Sequence, residues 1–91
     1  MYSRKTSIIN ETGLHARPAS VFVKEAKTYV SKISIANLTE NSEKFVNAKS
    51  VVSLLSLGAG KGTEVEIRAE GEDEENAVNA LVLLIESGAG E

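Results

Sequence analysis

Ninety-one residues, of which 42% are hydrophobic and 25% charged, predict one small globular domain over residues 1–91 rather than a disordered chain. The formal net charge of −3 argues against a nucleic-acid partner, because phosphate binding normally needs an excess of basic residues. The absence of cysteine excludes disulfides and thiol nucleophiles. The sequence shows neither a signal peptide nor an apolar run near the roughly 18 residues of a membrane span, so we expect a cytoplasmic protein without membrane insertion.

The first elements are a strand, a helix and a second strand. Residues 4–9 predict the first strand, with Ile8 facing inward, and residues 32–36 predict the second from their alternation of apolar and polar side chains. The helix between them starts near Pro18, since proline suits a first helical turn. Its apolar stripe comprises Ala19, Phe22, Val23, Ala26 and Val30.

The middle of the chain continues with a polar hairpin loop at residues 37–43 and a weaker strand at residues 44–48. A short helix follows, with Ser50 as its N-cap and Gly58 as its stop. Within residues 63–70, Val65, Ile67 and Ala69 alternate with charged side chains, which is typical of a strand with one wet face.

The last helix begins in the acidic stretch at residues 72–76, where negative charge suits a helix N-terminus, and it ends before Gly88. Leu83 is expected on its exposed side, and its inner face should be Ala77, Val78, Leu81, Leu84 and Ile85. The order βαββαβα predicts an α+β open-faced sandwich, in which three helices cover one face of a four-stranded antiparallel sheet.

The only histidine, His15, lies two residues before Arg17 at the predicted start of the first helix. One imidazole with scattered carboxylates is a poor ligand set for zinc, so we expect no metal. A Ser-His-Asp triad would need the only aspartate, Asp73, which nothing in the sequence brings near His15. What remains is a histidine that is itself the nucleophile, beside a helix N-terminus and a guanidinium that bind phosphate oxygens. The alternative is an exposed or capping histidine without chemistry.

Two other stretches superficially suggest ligand sites. Residues 58–63, GAGKGT, are glycine-rich, but they lack the spacing of a nucleotide-binding loop and run from a helix to a strand instead of from a strand to a helix. The acidic residues 70–75 lack the ligand spacing of a calcium loop. We therefore expect neither nucleotide nor calcium binding.

The stretch TGLHARPAS, residues 12–20, resembles the active-site signature of the HPr family, the histidine-containing phosphocarriers of the bacterial phosphoenolpyruvate-dependent sugar phosphotransferase system. Residues 46–62 are similar to the family's second signature, around a regulatory serine, and residues 71–88 to its C-terminal helix. The resemblance covers essentially the whole chain.

This resemblance implies a phosphocarrier that depends on partner enzymes, with no cofactor of its own. His15 would accept a phosphoryl group on Nδ1 from phosphorylated enzyme I and pass it to a sugar-specific enzyme IIA. Ala16 and Arg17 match the positions that support the phosphoryl group. We further expect a monomer.

Ser50 matches the serine that an ATP-dependent HPr kinase/phosphorylase modifies in many Gram-positive bacteria, with a catabolite-control transcription factor as a further partner. Without modification it would be a simple N-cap. The partner-docking surface that the resemblance implies consists of Val51, Val52 and Leu55 with a rim of Ser20, Lys24, Lys27 and Lys49. Core packing is the alternative for its apolar members.

Two other functions stay open on the same fold. One is a regulatory binding module that acts through Ser50 and the adjacent apolar patch; the other is a specialised carrier in a nitrogen or dihydroxyacetone phosphorelay. Relatives that have lost the carrier role often lack the active histidine, so the presence of His15 with Arg17 favours the sugar carrier. The hairpin at residues 37–43 is several residues longer than is usual in the family.

Overall fold

The strands and helices follow one another in the predicted order. The computed structural model describes residues 1–40 and 44–89. Within them the elements are β1 (Tyr2–Ser7), α1 (Ala16–Ala26), β2 (Lys32–Asn37), β3 (Phe45–Asn47), α2 (Val51–Leu55), β4 (Glu64–Glu70) and α3 (Glu74–Glu86). No helix in this described part is long and apolar enough to cross a membrane.

The four strands form one sheet in the order β1-β4-β2-β3, and every neighbouring pair is antiparallel. β4 lies inside the sheet, with Thr6 of β1 and Asn37 of β2 on either side of Val65. The alternating sequence of β4 explains its place, because Val65, Ile67 and Ala69 are all buried under the helices. Ile8 directly follows β1 and is buried, and its N–H donates to the Thr63 carbonyl at 2.9 Å.

The helices cover one face of this sheet and enclose a cluster of buried apolar side chains. Ala19, Phe22, Val23 and Ala26 of α1 lie in it as predicted. From α3 it takes Ala77, Val78, Leu81, Val82 and Ile85. The open-faced α+β sandwich is thereby confirmed.

The prediction that Val30 completes the stripe of α1 is wrong, because Val30 is 76% exposed. α1 ends at Ala26, and the Thr28 hydroxyl donates to the Glu25 carbonyl at 2.7 Å. The Val30 N–H then donates to the Asp73 carboxylate at 3.0 Å. These bonds turn the chain out of the helix before Val30 could reach the core.

The inner face of α3 is wider than predicted. Leu83 is exposed as expected, Leu84 is only half-buried, and Val82, which the periodicity left out, is 1% exposed. α3 contacts β1, β4 and α1, and a helix that packs against neighbours on more than one side buries more than a single narrow stripe.

The predicted hairpin at residues 37–43 lies partly outside the described residues, since residues 41–43 are not among them. Its first residue, Asn37, belongs to β2 and is buried rather than part of a polar loop. The Asn37 side-chain oxygen accepts from the N–H groups of Thr39 and Glu40, and its Nδ2 donates to the Leu57 carbonyl at 2.9 Å. The hairpin is therefore tied to the end of α2.

Candidate functional site

His15 is the N-cap residue of α1, with an extended backbone at φ −131° and ψ 151°. Its side chain makes no capping hydrogen bond and is exposed. A histidine that served only to cap the helix would bond the first-turn N–H groups. The imidazole of His15 is therefore left open to solvent at the positive end of the helix.

The first turn of α1 offers donors beside this imidazole. The first N–H groups of a helix have no partner within it, and here these belong to Ala16 and Arg17, whereas Pro18 has none to leave unpaired. The Arg17 side chain is exposed. Among the described residues no carboxylate forms an ion pair with Arg17, so its guanidinium is available to an anion.

Ala16 adopts a strained backbone, with φ at 40°. This is the left-handed region that a residue with a Cβ atom rarely occupies. Such strain persists where the surrounding structure over-determines it, and it is common at functional sites.

The turn before His15 is fixed against the loop that joins α2 to β4. The Leu14 N–H donates to the Ala59 carbonyl at 2.8 Å. Gly13 has φ at 69°, and a Cβ there would lie 2.4 Å from the Ala59 oxygen, so only glycine permits the approach. This contact is made by the glycine-rich stretch at residues 58–63, which connects a helix to a strand as expected.

Ser50 caps α2 as predicted, and its Oγ accepts from the Ser53 N–H at 3.2 Å. Leu55, at the other end of α2, is five positions further along the chain, a distance of about 8 Å along the axis. At that end Leu55 and His15 line one shallow surface depression together with Leu14 and Gly58. α2 therefore runs from Ser50 toward the histidine.

The predicted docking residues divide by exposure. Val52 is 78% and Leu55 41% exposed, whereas Val51 is half-buried against the core. Ser20, Lys24 and Lys27 are exposed on or beside α1. Lys49 is engaged elsewhere, since its Nζ donates to the Tyr29 carbonyl beyond the end of α1 at 2.7 Å.

Asp73 lies far from the histidine, which agrees with the exclusion of a triad. Its carboxylate accepts from the Val30 and Ser31 N–H groups, both at 3.0 Å, and from the Ser31 hydroxyl. These contacts lie beyond the C-terminal end of α1, and His15 lies at its N-terminal end, about 16 Å away along the axis. The hydrogen bond from Ser31, followed by the bonds from the backbone, holds the pKa of Asp73 below its ordinary value. Among the described residues, no group of three His, Asp or Glu side chains could hold a metal ion.

Comparison with known proteins places this geometry in a family. Residues 2–87 match the family model described as PTS HPr component phosphorylation site. The chain belongs to the HPr family. Its members are phosphocarrier proteins of the phosphotransferase system rather than catalysts, and they interact with enzymes of that system.

Three relatives show how far the likeness extends. The chain is 46% identical over 85 residues to the phosphocarrier protein HPr of Haemophilus influenzae, covering 93% of this chain and 95% of that protein. It is 43% identical over 84 residues to a multiphosphoryl transfer protein of the same organism, covering 92% of this chain but only 17% of the relative. It is 42% identical over 86 residues to the HPr-like protein Crh of Halalkalibacterium halodurans, covering 94% and 98%.

Two solved structures of Thermoanaerobacter tengcongensis HPr share the fold, both at 48% identity. One has a TM-score of 0.90 and covers 100% of this chain and 98% of its own. The other, described as an HPr dimer, has a TM-score of 0.74 and covers 100% of both chains.

Sequence reasoning missed two residues that hold the His15 turn, Asn10 and Ala59. Asn10 is 7% exposed, and its side chain bonds the Gly13 carbonyl. In the sequence, Asn10 stands out only as the first residue of an Asn-x-Thr triplet, the pattern of a glycosylation site. Ala59 appears only within the glycine-rich stretch at residues 58–63. An asparagine three positions before a turn glycine was the available signal for Asn10.

Proposed function

We propose that the chain carries a phosphoryl group on His15 between enzyme I and sugar-specific enzyme IIA components in the cytoplasm, as one functional unit over residues 1–91. The observation that carries the proposal is the placement of His15, exposed at the N-terminus of α1 with no capping bond to occupy it. Membership of the phosphocarrier family supplies the reaction class.

The transfer uses groups from three consecutive residues. The Nδ1 lone pair of His15 attacks phosphorus, the bond from phosphorus to the donor enzyme breaks, and the donor keeps that electron pair. The Ala16 and Arg17 N–H groups and the Arg17 guanidinium offset the charge on the phosphoryl oxygens. Because all three residues stay exposed, a nucleophile of the acceptor enzyme can reach the phosphoryl group. It bonds to phosphorus while the bond from phosphorus to Nδ1 breaks, and that electron pair returns to His15.

Intact-mass spectrometry after incubation with phosphoenolpyruvate and a bacterial enzyme I tests this proposal. We expect one added phosphoryl group that is lost in acid, and none on His15→Ala. Since His15 is the only histidine, an acid-labile group has no other imidazole to occupy. The exposed side chain makes no capping bond, so the variant should melt like the wild type. A phosphoryl group that persisted on His15→Ala would refute the assignment.

We propose further that an ATP-dependent HPr kinase/phosphorylase regulates the carrier by modifying Ser50. A phosphate at this N-cap adds nearly two negative charges at the positive end of α2, where the fold tolerates them. The same charge stands beside Val52, which is 78% exposed and belongs to the proposed docking surface. Modification would thus alter docking and, through a catabolite-control transcription factor, partner choice.

Ser50→Asp tests the regulatory role by steady-state transfer from phosphorylated enzyme I. We expect a higher KM for the variant with little loss of melting temperature. Ser3→Asp is the matched control, because it adds the same charge at an exposed position of β1, on the far edge of the sheet. Equal KM values for both variants would remove the basis for regulation at Ser50.

A regulatory binding module is the second candidate, favoured by the 42% identity to the HPr-like protein Crh. It would use Ser50 and the exposed part of α2 without carrying a phosphoryl group on His15. The mass experiment separates the two, since a purely regulatory chain would accept phosphate from ATP and the kinase but not from enzyme I. A carrier for a nitrogen or dihydroxyacetone phosphorelay would accept it only from the dedicated partner of that system.

The docking surface comprises Val51, Val52 and Leu55 with Ser20, Lys24, Lys27 and Lys49, and we propose that the transfer-competent form is a monomer. Leu55, which lines one depression with His15, and the exposed Val52 must both be free for a partner enzyme to cover them. The dimer described for the Thermoanaerobacter tengcongensis protein stands against a monomer in every condition. Light scattering at the concentrations of the transfer assay decides the state.

A further inference from the structure

Asn10 binds Gly13 from two sides. Its backbone carbonyl accepts from the Gly13 N–H at 3.1 Å, and its Nδ2 donates to the Gly13 carbonyl at 2.7 Å. The side chain is buried, with Asn10 only 7% exposed. Asn10 therefore bonds both the N–H and the carbonyl of Gly13, which lies two positions before His15.

This arrangement contributes less to stability than a fully bonded asparagine would. The Asn10 Oδ1 atom is buried and has no hydrogen-bond partner within residues 1–40 and 44–89. A buried acceptor without a partner costs free energy. Turning the amide over would not help, because Oδ1 would then face the Gly13 carbonyl oxygen. The position that Asn10 gives to the Gly13 carbonyl therefore explains its presence better than its contribution to the free energy of unfolding.

A second restraint acts on the same turn. The Leu14 N–H donates to the Ala59 carbonyl at 2.8 Å, and Gly13 lies directly against Ala59 and Gly60. With Asn10 on one side and Ala59 on the other, the direction in which the chain leaves Leu14 is fixed.

The strained residue follows directly. Ala16 has φ at 40°, a conformation that persists only when the surroundings enforce it. If the turn before His15 loosened, Ala16 could relax toward an ordinary helical φ. Its N–H and the His15 imidazole would then change direction together.

We propose that Asn10 is a positioning residue for phosphoryl transfer, which it supports by fixing the Gly13 carbonyl and so the direction of His15 and of the Ala16 N–H. The inference rests on the proposed function. Asn10 is buried and need not touch the phosphoryl group, so it acts through the turn and is not a catalytic residue.

Asn10→Leu is the sharpest variant, because leucine has a similar shape and removes both the donor and the unpartnered acceptor. We expect a fall in the rate constant of transfer from phosphorylated enzyme I of about tenfold to a hundredfold, since a misplacement near 1 Å lowers a rate by up to about 10²-fold. The KM for enzyme I should change less than about twofold, because the docking residues on α2 are untouched.

Thr6→Val is the matched control for a merely structural effect. Thr6 is 8% exposed, and its hydroxyl donates to the Glu86 carboxylate at 3.0 Å, away from the His15 turn. Its loss should lower the melting temperature without lowering the transfer rate constant. Asn10→Ala serves as the second variant if leucine does not fit.

Amide hydrogen exchange in the unphosphorylated protein measures the restraint directly. We expect faster exchange of the Gly13 and Leu14 N–H groups in the Asn10 variants and not in Thr6→Val. If the wild-type chain accepts the phosphoryl group and the Asn10 variants do so with the same rate constant, the positioning role is overturned but the proposed function stands. The same holds if the Gly13 and Leu14 N–H groups of the variants exchange no faster than in the wild type. A wild-type chain that accepts no phosphoryl group overturns the proposed function, and the positioning role with it.

Discussion

Gly13→Ala places a methyl group where the turn has no room for it. The added Cβ would lie 2.4 Å from the Ala59 oxygen and 2.6 Å from Gly60 Cα, both of them backbone atoms. Backbone atoms in a packed loop move less easily than the end of a side chain, and overpacking costs about 1–3 kcal/mol. The φ of 69° adds about 1 kcal/mol for a residue with a Cβ atom. We expect a total loss of about 2–4 kcal/mol in the free energy of unfolding.

Gly58→Ala separates these two contributions. Gly58 has a similar φ of 63°, but a Cβ there would have no atom within 4 Å. It should cost only the conformational part, about 1 kcal/mol. Since 1 kcal/mol shifts the melting temperature of a domain of this size by about 4–8 °C, thermal and urea unfolding of both variants resolve the difference. Equal losses in the two variants would refute the close approach of Gly13 to Ala59.

The core and the acid range supply two further predictions. Leu54→Ala, at a fully buried position, should lower the free energy of unfolding by about 2–5 kcal/mol. Leu83→Ala, at a position 67% exposed, should change it by no more than about 0.5 kcal/mol. Urea unfolding that ranked the two losses in the opposite order would contradict the assigned faces. The pKa of Asp73 is lowered from its ordinary value of 3.8, first by the Ser31 hydrogen bond, so its stabilising effect is present above about pH 4 and is lost as the pH falls through the lowered value. Asp73→Asn should therefore be less stable than wild type at pH 7, and the difference should shrink in strong acid; a difference that did not depend on pH would contradict this account.

Local patterns in the sequence were enough to predict most of the fold and the face of the site. The alternation in β4 depends only on residues within that strand, and the N-cap at Ser50 only on its own first turn. The isolated pairing of His15 with Arg17 at a helix start was visible for the same reason. Such features are set by neighbours a few positions away, which a single sequence displays.

The failures have the opposite cause. Val30 is exposed because the chain beyond α1 bonds to Asp73, which is 43 positions later. Val82 is buried because α3 contacts β1 and β4 as well as α1. The role of Asn10 was not predicted because it bonds Gly13 in a turn that packs against Ala59, 49 positions after Asn10. Each depends on contacts between distant parts of the chain, which periodicity does not contain.

The two ends of α2 explain why changes at Ser50 and at Asn10 should affect different kinetic constants. A charge on Ser50 is about 8 Å from the Leu55 end of the helix, comparable with the Debye length of about 8 Å at physiological salt, so solvent ions weaken its field at His15. A partner that covers Val52 removes that solvent and meets the charge directly, which raises KM. Asn10 is buried under the turn and lies outside the proposed docking surface. Its substitution should therefore change only the direction of the imidazole and lower the rate constant. A raised KM from a charge at Ser50 and a lowered rate constant from substitution of Asn10 would separate docking from chemistry in this carrier.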